Sequence, residues 1–306
     1  MCLKYAKPRS RRSRLEPLPA DTDKAIPRGR ELLALKVQEK IVAVPSQVGL
    51  WTLNGLAYVG GLASLAGQSA YFTFVGPFRG QRLRPHRAVH QAMAVGVEAI
   101  PIVSLITFFV GLIMALQSAY QLRQFGAMQF VASAVALSIL RELGPLLTAI
   151  VVIGRSGSAF AAEIGTKKVT EEVDALRTMA FDPVAFLVAP KFLAMLLMMP
   201  CLTIWADFMG VVGGSVFGVV GANFTFGSYF HATRDAIVLR DVFTGLIKSV
   251  LFGLVITAVG CKEGFATGAG AEEVGRSTTA AVVTSIALVI VVDLVFTALF
   301  YLINPT

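Results

Sequence analysis

Long apolar segments separated by short polar connections make up most of the chain from about residue 97 onward. A helix of about 20 apolar residues, rising ~1.5 Å per residue, crosses the ~30 Å hydrocarbon core of a bilayer. The third segment is longer than one crossing needs, so we expect it to tilt or to kink at Pro190 and Pro200. The pattern predicts five crossings, at residues 97–119, 129–153, 186–222, 242–261 and 280–303.

The N-terminal part of the chain has a different pattern. Residues 1–45 are polar, basic and without apolar periodicity, which predicts a disordered cytoplasmic tail ahead of a membrane domain at 46–306. Residues 48–78 are long enough to span a bilayer, but six glycines and the polar Asn54 and Gln68 interrupt them. The interruptions and the flanking arginines favour a helix that lies in the membrane interface.

Composition agrees with a membrane location. The chain has 306 residues, of which 55% are hydrophobic and 15% charged, and its mean hydropathy is +0.70. The net charge of +8 is concentrated in the N-terminal third of the chain. Because basic residues also flank the apolar spans, this charge favours topology signalling and attraction to anionic lipid over binding of nucleic acid. Ten Lys and Arg lie in the connections 79–90, 154–182 and 262–279, against three in 120–128 and 223–241. The excess predicts a cytoplasmic N-terminus and an external C-terminus.

The chain lacks the sequence features of a motor or of a metal site. It contains no G-x-x-x-x-G-K-[ST] sequence, and no glycine is followed by lysine. We therefore expect no cofactor, and ATP, if it drives the protein, is expected to bind a separate subunit. His86 and His90 have i,i+4 spacing but no third ligand nearby, so we expect no metal either.

A dense run of charge lies between the second and third predicted spans. It follows a patch of small residues at 154–159 and ends at Asp182-Pro183, which resemble the N-cap and first position of a helix. Three acid–lysine pairs at i,i+4 spacing would support a short helix, with Val169, Val173 and Leu176 on one side. A solvated connection is the alternative to a helix that binds a partner. The charged residues considered for that role are Glu163, Lys167, Lys168, Glu171, Glu172 and Asp174.

Charged residues also occur inside the predicted spans. An unpaired charge in hydrocarbon costs several kcal/mol, so such residues face a cavity or one another. The two readings left open are an ion-pair layer that holds the bundle together and a polar waist that contacts a headgroup. Adjacent helical residues point about 100° apart, so Arg141 and Glu142 need different partners, and we expect Lys248 or Asp293 to satisfy one of them. The five intramembrane charges are Arg141, Glu142, Asp207, Lys248 and Asp293.

Two further patterns belong to the spans. Gly210, Gly214 and Gly218 leave one stripe of the third span without side chains, for packing inside the chain or for a dimer seam. Several apolar residues would suit a cavity for acyl chains, although periodicity does not separate them from ordinary core or lipid-facing positions. They are Leu112, Leu116, Tyr120, Val291 and Leu294.

Three stretches carry a resemblance to a known family. They are the segment 154–176, the sequence Arg141-Glu142-Leu143-Gly144-Pro145 and the sequence Leu246-Ile247-Lys248-Ser249-Val250. Over roughly residues 50–303 the chain resembles the MlaE/YrbE family, the permease subunits of MCE-type lipid ABC transporters. The resemblance implies an all-α integral membrane protein with an N-terminal interfacial elbow helix, five transmembrane helices and a cytoplasmic coupling helix.

The resemblance also implies partners and a location. The expected partners are an ABC ATPase subunit that binds residues 163–177, an MCE-domain protein, a second copy of the chain, and phospholipid. The expected location is the bacterial inner membrane, with the chloroplast inner envelope as the alternative. Two other classes remain open from the residues alone: an ion-coupled secondary carrier that uses the buried charges, and a structural subunit without a transport path.

Overall fold

The computed structural model describes residues 52–53, 55–75, 85–221 and 225–303, apart from the side chains of Pro85, Arg87 and Ile303. The predicted tail at 1–45 and the arginines at 79–84 lie outside the described residues. The chain divides into two units at Ala57 and Tyr58. The described part of the second unit is helical throughout and contains no strand.

The helices are numbered in chain order. The N-terminal helix α1 covers residues 55–74. Two π-helical turns, at Ile139–Leu143 and Ile153–Gly157, join α4, α5 and α6 without a break in the helical path, and a third, at Val184–Val188, leads directly into α8. The remaining helices are α2 Pro85–Val95, α3 Ile100–Gln124, α4 Val131–Ser138, α5 Gly144–Val152, α6 Ser158–Val169, α7 Glu172–Thr178, α8 Ala189–Gly221, α9 Phe226–Ala236, α10 Leu239–Ala266 and α11 Ala271–Ile303.

Five continuous helical segments of the described chain are long and apolar enough to cross a membrane, which confirms the predicted number. The helix α1 is not among them, and its interfacial position stays a prediction. We call the five segments spans 1 to 5, and their bounds are Ala88–Gln124, Met128–Val169, Val184–Gly221, Leu239–Ala266 and Ala271–Leu302.

The predicted end of the second span at residue 153 is wrong, because span 2 continues as helix to Val169. The small residues after Ile153 do not stop the helix; they form a π turn that packs against span 4. A Cβ on Gly260 would lie 2.8 Å from the Gly157 carbonyl oxygen, so the two backbones approach closely there. Small residues thus serve helix packing here and not a loop.

The prolines of spans 2 and 3 do not interrupt these spans. Pro145, which lacks an N–H, follows the π turn Ile139–Leu143 and stands in the first turn of α5. At the start of span 3, the Asp182 carboxylate accepts a hydrogen bond of 2.8 Å from the Val184 N–H, in keeping with its predicted capping role. Helix α8 continues through Pro200 as one helix.

Span 3 lies at the centre of the fold, between span 1 and span 4. Its glycine stripe is buried inside the chain: Gly210 faces Gly111 and Ile139, while Gly214 and Gly218 pack under the Tyr229 ring. Of the two predicted roles for this stripe, packing inside the chain is the one that the structure shows. The core here contains Val103, Ala149, Val152, Met195, Met199, Leu202, Phe252 and Ile256.

Candidate functional site

The π turn Ile139–Leu143 places two adjacent charged residues against α10, and the second of them also against α11. Arg141, with 47% of its side chain exposed, donates from Nε to Asp241 Oδ1 at 2.7 Å and has its second guanidinium nitrogen 2.6 Å from the same oxygen. Asp241 is buried, and its Oδ2 also accepts the Val238 N–H at 3.4 Å, which caps the start of α10. The pair therefore ties the π turn of span 2 to the beginning of span 4.

Glu142, the next residue, binds the buried Lys248. The Lys248 ammonium, whose side chain is 1% exposed, donates to Glu142 Oε2 at 2.5 Å and to Thr297 Oγ1 at 2.8 Å. It also lies 3.0 Å from Asp293 Oδ1, at an angle too oblique for a hydrogen bond. Thr297 in turn donates to Glu142 Oε1 at 3.2 Å. Spans 2, 4 and 5 thus meet at one lysine, which is neutralised by two carboxylates.

These residues open into a cavity of about 330 Å³, which we call the polar cavity. Glu142 keeps 39% of its side chain exposed, so the ion pair faces solvent-accessible space and is not sealed in the bundle. Arg240, which also lines the cavity, forms no ion pair with any described residue. Its other lining residues are Arg141, Asp241, Thr244, Lys248, Thr297, Phe300 and Tyr301.

The structure separates some residues that the sequence grouped. Asp207 lies outside the polar cavity, against Gly144 and in a different, apolar cavity between span 3 and α9. Leu116 and Tyr120 are exposed on α3, and Val291 and Leu294 are exposed on α11, while Leu112 is half-buried. Because α3 packs mainly on α8 and α11 packs on α10 and α6, these apolar residues do not line one cavity within the chain.

Six residues that line the polar cavity were absent from the predicted site, and three of them, Asp241, Arg240 and Thr297, bear directly on its chemistry. Asp241 and Arg240 fell one and two residues before the predicted start of the fourth span at 242, whereas α10 begins at Leu239. The available signal was Asp241 itself, three residues after Val238 at a helix start, where an acidic side chain caps a helix. Thr297 carried no signal in an otherwise apolar span.

The predicted helix at the charged segment is broken in two. Helix α6 ends at Val169, and α7 begins at Glu172 after Glu171 adopts a left-handed conformation with φ of 61°. This turn separates residues that one continuous helix would have brought together. The turn accounts for the absence of the expected Lys167–Glu171 and Lys168–Glu172 pairs. The third expected pair, Glu163–Lys167, lies within α6 and is not formed because Glu163 pairs with Lys191.

The charged side chains of this segment find other partners. Glu163 pairs with Lys191, a buried lysine at the start of α8 that the sequence analysis did not consider. Lys167 donates to Glu172 at 2.9 Å, and this contact lowers the pKa of the exposed Glu172 carboxyl. Lys168 donates to the Phe265 carbonyl oxygen at 2.6 Å, at the end of α10.

The corner formed by α6, α7 and the start of span 3 carries an exposed surface, which we call the corner surface. Val173 was predicted to face outward with Val169 and Leu176, but it is buried within the chain, and the other two are half-buried. The exposed apolar side chains are instead Met179 and Phe181, at 59% and 54%. The exposed charged side chains here are Glu171, Glu172, Asp174 and Arg177.

Five apolar spans, held together by intramembrane ion pairs that open into a cavity, define a multi-pass membrane protein of the transport class. The model of the family Permease MlaE matches residues 88–299, which include all of the polar cavity apart from Phe300 and Tyr301. The chain belongs to this family and is a permease of an ABC transporter.

Individual relatives agree with this assignment. A probable ABC transporter permease protein of Rickettsia typhi is 41% identical over 213 residues, which cover 70% of this chain and 82% of that protein. The intermembrane phospholipid transport system permease protein MlaE of Haemophilus influenzae is 33% identical over 238 residues, covering 77% and 91%. The chloroplastic protein TRIGALACTOSYLDIACYLGLYCEROL 1 of Arabidopsis thaliana is 32% identical over 213 residues, covering 70% and 61%.

Membership of an ABC permease family decides against the ion-coupled secondary carrier considered from the sequence. Four of the five intramembrane charges that suggested that class have structural partners in this chain, and Asp207 is the exception. Lys248 is bound by Glu142 and Asp293, and Arg141 is bound by Asp241.

Proposed function

We propose that this permease moves phospholipid between the inner membrane and an MCE-domain partner, driven by a separate ATPase subunit. The observation that carries the proposal is the polar cavity, in which a buried lysine and two arginines lie beside the partly exposed Glu142 and the buried Asp241. The phospholipid transport named for the Haemophilus relative supports the choice of substrate.

The charge of the polar cavity suits a phospholipid headgroup. Arg141, Arg240 and Lys248 carry three positive charges, and Glu142, Asp241 and Asp293 carry three negative ones, so the cluster is neutral in total. Guanidinium groups bind phosphate through paired hydrogen bonds, and Arg240 has no carboxylate partner among the described residues that would compete with that phosphate. A carboxylate such as Glu142 suits the amine of a zwitterionic headgroup, because it accepts hydrogen bonds from a cation.

The acyl chains of a lipid held at this headgroup site need an apolar surface outside the polar cavity. Leu116 and Tyr120 on α3 and Val291 and Leu294 on α11 offer exposed apolar side chains. In the most apolar stretch of each span, only 28% of the residues of span 1 and 11% of the residues of span 5 are buried inside the chain. A second copy of the chain, packed as a homodimer, would bring such faces together around one lipid cavity.

The separate ATPase binds the corner surface in this proposal. Met179 and Phe181 supply exposed apolar contacts, and α7 supplies charges of both signs. The corner is rigidly joined to the membrane part: the Glu163–Lys191 pair links α6 to α8, and Lys168 links α6 to the end of α10. Closure of the ATPase would thus move spans 2, 3 and 4 together and change the exposure of the lipid cavity. In this proposal the corner surface and the N-terminus lie on the cytoplasmic side.

The headgroup role is tested with Glu142→Gln in the purified transporter complex. The substitution keeps the shape of the side chain but removes its charge, while Asp293 still neutralises Lys248. A hydrogen bond to a charged group contributes about 1.5–3 kcal/mol, so we expect a ~10-fold or larger fall in ATP-dependent phospholipid transfer between vesicles, with the complex still assembled. The matched control is Glu98→Gln, which changes a glutamate paired with Arg155 away from the polar cavity.

Three outcomes of that experiment contradict the proposal. A stable Glu142→Gln complex with unchanged transfer would remove Glu142 from the headgroup site. Equal losses in Glu142→Gln and Glu98→Gln would assign the effect to general destabilisation. Transfer that needs an ion gradient but not ATP would contradict the role of the ATPase.

Binding of the ATPase is tested separately at the corner surface. Because Glu163 holds the buried Lys191, its reversal would disturb packing, so the test uses the exposed Glu171 and Asp174. We expect Glu171→Lys combined with Asp174→Lys to abolish copurification of the ATPase while the melting temperature of the permease stays within about 2 °C. Normal copurification with this double variant would refute binding at this surface.

A further inference from the structure

A second cavity, of about 420 Å³, lies between span 3, α9 and the start of span 4. We call it the α9 cavity. Its volume falls within the usual range for small-molecule sites, ~300–1,000 Å³. Its walls are mainly apolar, with polar groups at Asp207, Thr233 and Arg234. The apolar lining consists of Leu140, Ile204, Phe208, Val211, Val212, Phe230, Ile237 and Val242.

Asp207 is the polar group of this cavity that most needs a partner. Its Oδ1 is buried and accepts no hydrogen bond from any described residue. The same oxygen packs against Gly144, where a Cβ would lie 1.8 Å away, so span 2 leaves room for the carboxylate only because it has glycine there. A carboxyl group without a partner in an apolar span is costly, which makes a ligand the expected source of the missing contact.

Thr233 and Arg234 limit the chemistry of that ligand. The Thr233 hydroxyl, on α9, is also buried and without a hydrogen-bond partner among the described residues. Arg234 is exposed at the same cavity and forms no ion pair within the described chain. The positive charge of Arg234 disfavours an ammonium head, and the carboxylate of Asp207 disfavours a carboxylate head. A hydroxyl group can donate to Asp207 and accept from Thr233 at the same time.

We propose that the α9 cavity is a second binding site, separate from the polar cavity, for an amphiphilic alcohol: an apolar chain or ring system that carries a free hydroxyl group. The hydroxyl lies between Asp207 and Thr233, and the apolar body contacts Phe208, Val211 and Phe230.

The site shares a wall with the π turn of the polar cavity. Leu140 lines the α9 cavity, while its neighbours Arg141 and Glu142 line the polar cavity. A Cβ on Gly245 would lie 2.3 Å from the Leu140 carbonyl oxygen, so the turn is also held tightly against span 4. An alcohol bound beside Leu140 thus contacts the element that positions the headgroup site.

The test uses photoactivatable diazirine analogues of 1-octadecanol, octadecylamine and octadecanoic acid, incubated with the full-length permease in nanodiscs. Labelled peptides are identified by mass spectrometry. We expect the alcohol to label the peptides that contain 204–212 and 230–237 at least ~10-fold more than the amine or the acid, because a neutral hydroxyl can bond to Asp207 and Thr233 without facing a like charge, whereas the amine faces Arg234 and the acid faces Asp207. Asp207→Leu should reduce this labelling by ~10-fold or more. The matched control Asp235→Leu, which removes an exposed acid of α9 outside the cavity, should not.

A third variant guards against misfolding of Asp207→Leu. Ile204, which is 54% exposed and lines the cavity, is replaced in Ile204→Trp, so that the larger side chain fills the cavity and blocks labelling while Asp207 remains. Equal labelling by the three probes, preference for the amine or the acid, or undiminished alcohol labelling in a folded Asp207→Leu or Ile204→Trp protein would overturn the proposal.

Discussion

The close contact between span 1 and span 3 predicts that a Gly→Ala substitution there destabilises the protein, although helix propensity alone would stabilise it. A Cβ on Gly213 would lie 2.0 Å from the Phe108 carbonyl oxygen, and a Cβ on Gly111 would lie 2.0 Å from that of Gly210. Ordinary contacts between such atoms begin near 3.4 Å. In Gly213→Ala, one of the two backbones must therefore move by about 1.4 Å, which is the difference between these two distances.

The magnitude follows from two opposing effects. Alanine is favoured over glycine inside a helix by about 1 kcal/mol. Overpacking of a tight interface costs about 1–3 kcal/mol, and here the clash is with backbone atoms, which relax least. Because span 3 is held on both sides, we expect the upper end of that cost and a net loss of ~1–2 kcal/mol for Gly213→Ala.

The assay is thermal unfolding of the purified permease in detergent, followed by the fluorescence of Trp205 beside the interface. At ~2–4 °C per kcal/mol, the net loss corresponds to a fall of about 2–8 °C in melting temperature. The control is Gly275→Ala in α11, where a Cβ meets nothing within 4 Å, so only the propensity gain acts and the melting temperature should stay equal or rise. Equal changes in the two variants would refute the packing argument.

Two further predictions concern the corner between α6 and span 3. The Lys191 side chain is 2% exposed and that of Glu163 is 42% exposed. Glu163→Gln therefore leaves a buried charge unpaired and should lower the free energy of unfolding by ~3 kcal/mol or more, whereas Lys191→Met leaves an acid that water can reach and should lower it by under ~1.5 kcal/mol. Thermal unfolding measures both losses, and a larger loss in Lys191→Met than in Glu163→Gln would contradict this assignment. Because Lys167 lowers the pKa of Glu172, their contact stabilises the corner at neutral pH and is lost as the pH falls below the ordinary value of 4.5 and through the lowered pKa. In Lys167→Met the pKa of Glu172, followed by carbon NMR, should return to that ordinary value, and an unchanged titration would show that Lys167 is not the cause.

The apolar pattern predicted the spans well because burial in a bilayer demands long uninterrupted helices whatever their tertiary contacts. It predicted their ends poorly where the helix continues through small or charged residues. Span 2 passes through Gly154 and Gly157 and reaches Lys168, because span 4 packs closely on Gly157 and a carbonyl oxygen at the end of α10 accepts a hydrogen bond from the lysine. Such contacts come from distant parts of the chain and leave no local periodicity.

The partners of the buried charges were predictable only in part. The need of Lys248 for an acid followed from the cost of a charge in hydrocarbon, and Glu142 and Asp293 were the available acids. The Arg141–Asp241 pair depended on a helix start that lay three residues before its predicted position. In the sequence, Asp207 is a charged residue in an apolar span, as Arg141, Glu142, Lys248 and Asp293 are. Only its packing against Gly144 in the folded chain shows that it lies apart from them.

The lysine shared by three helices has a consequence for how the chain enters the membrane. A lysine near the centre of a helix opposes insertion by about 2.5–3.5 kcal/mol on scales measured with the insertion machinery. Span 2, which carries Glu142, is synthesised before span 4, whereas span 5, which carries Asp293, comes after it. Span 4 can therefore enter the bilayer beside one carboxylate that is already in place, and the second carboxylate completes the neutralisation only when the last helix has arrived. The order of charges along the chain is thus also an order of assembly.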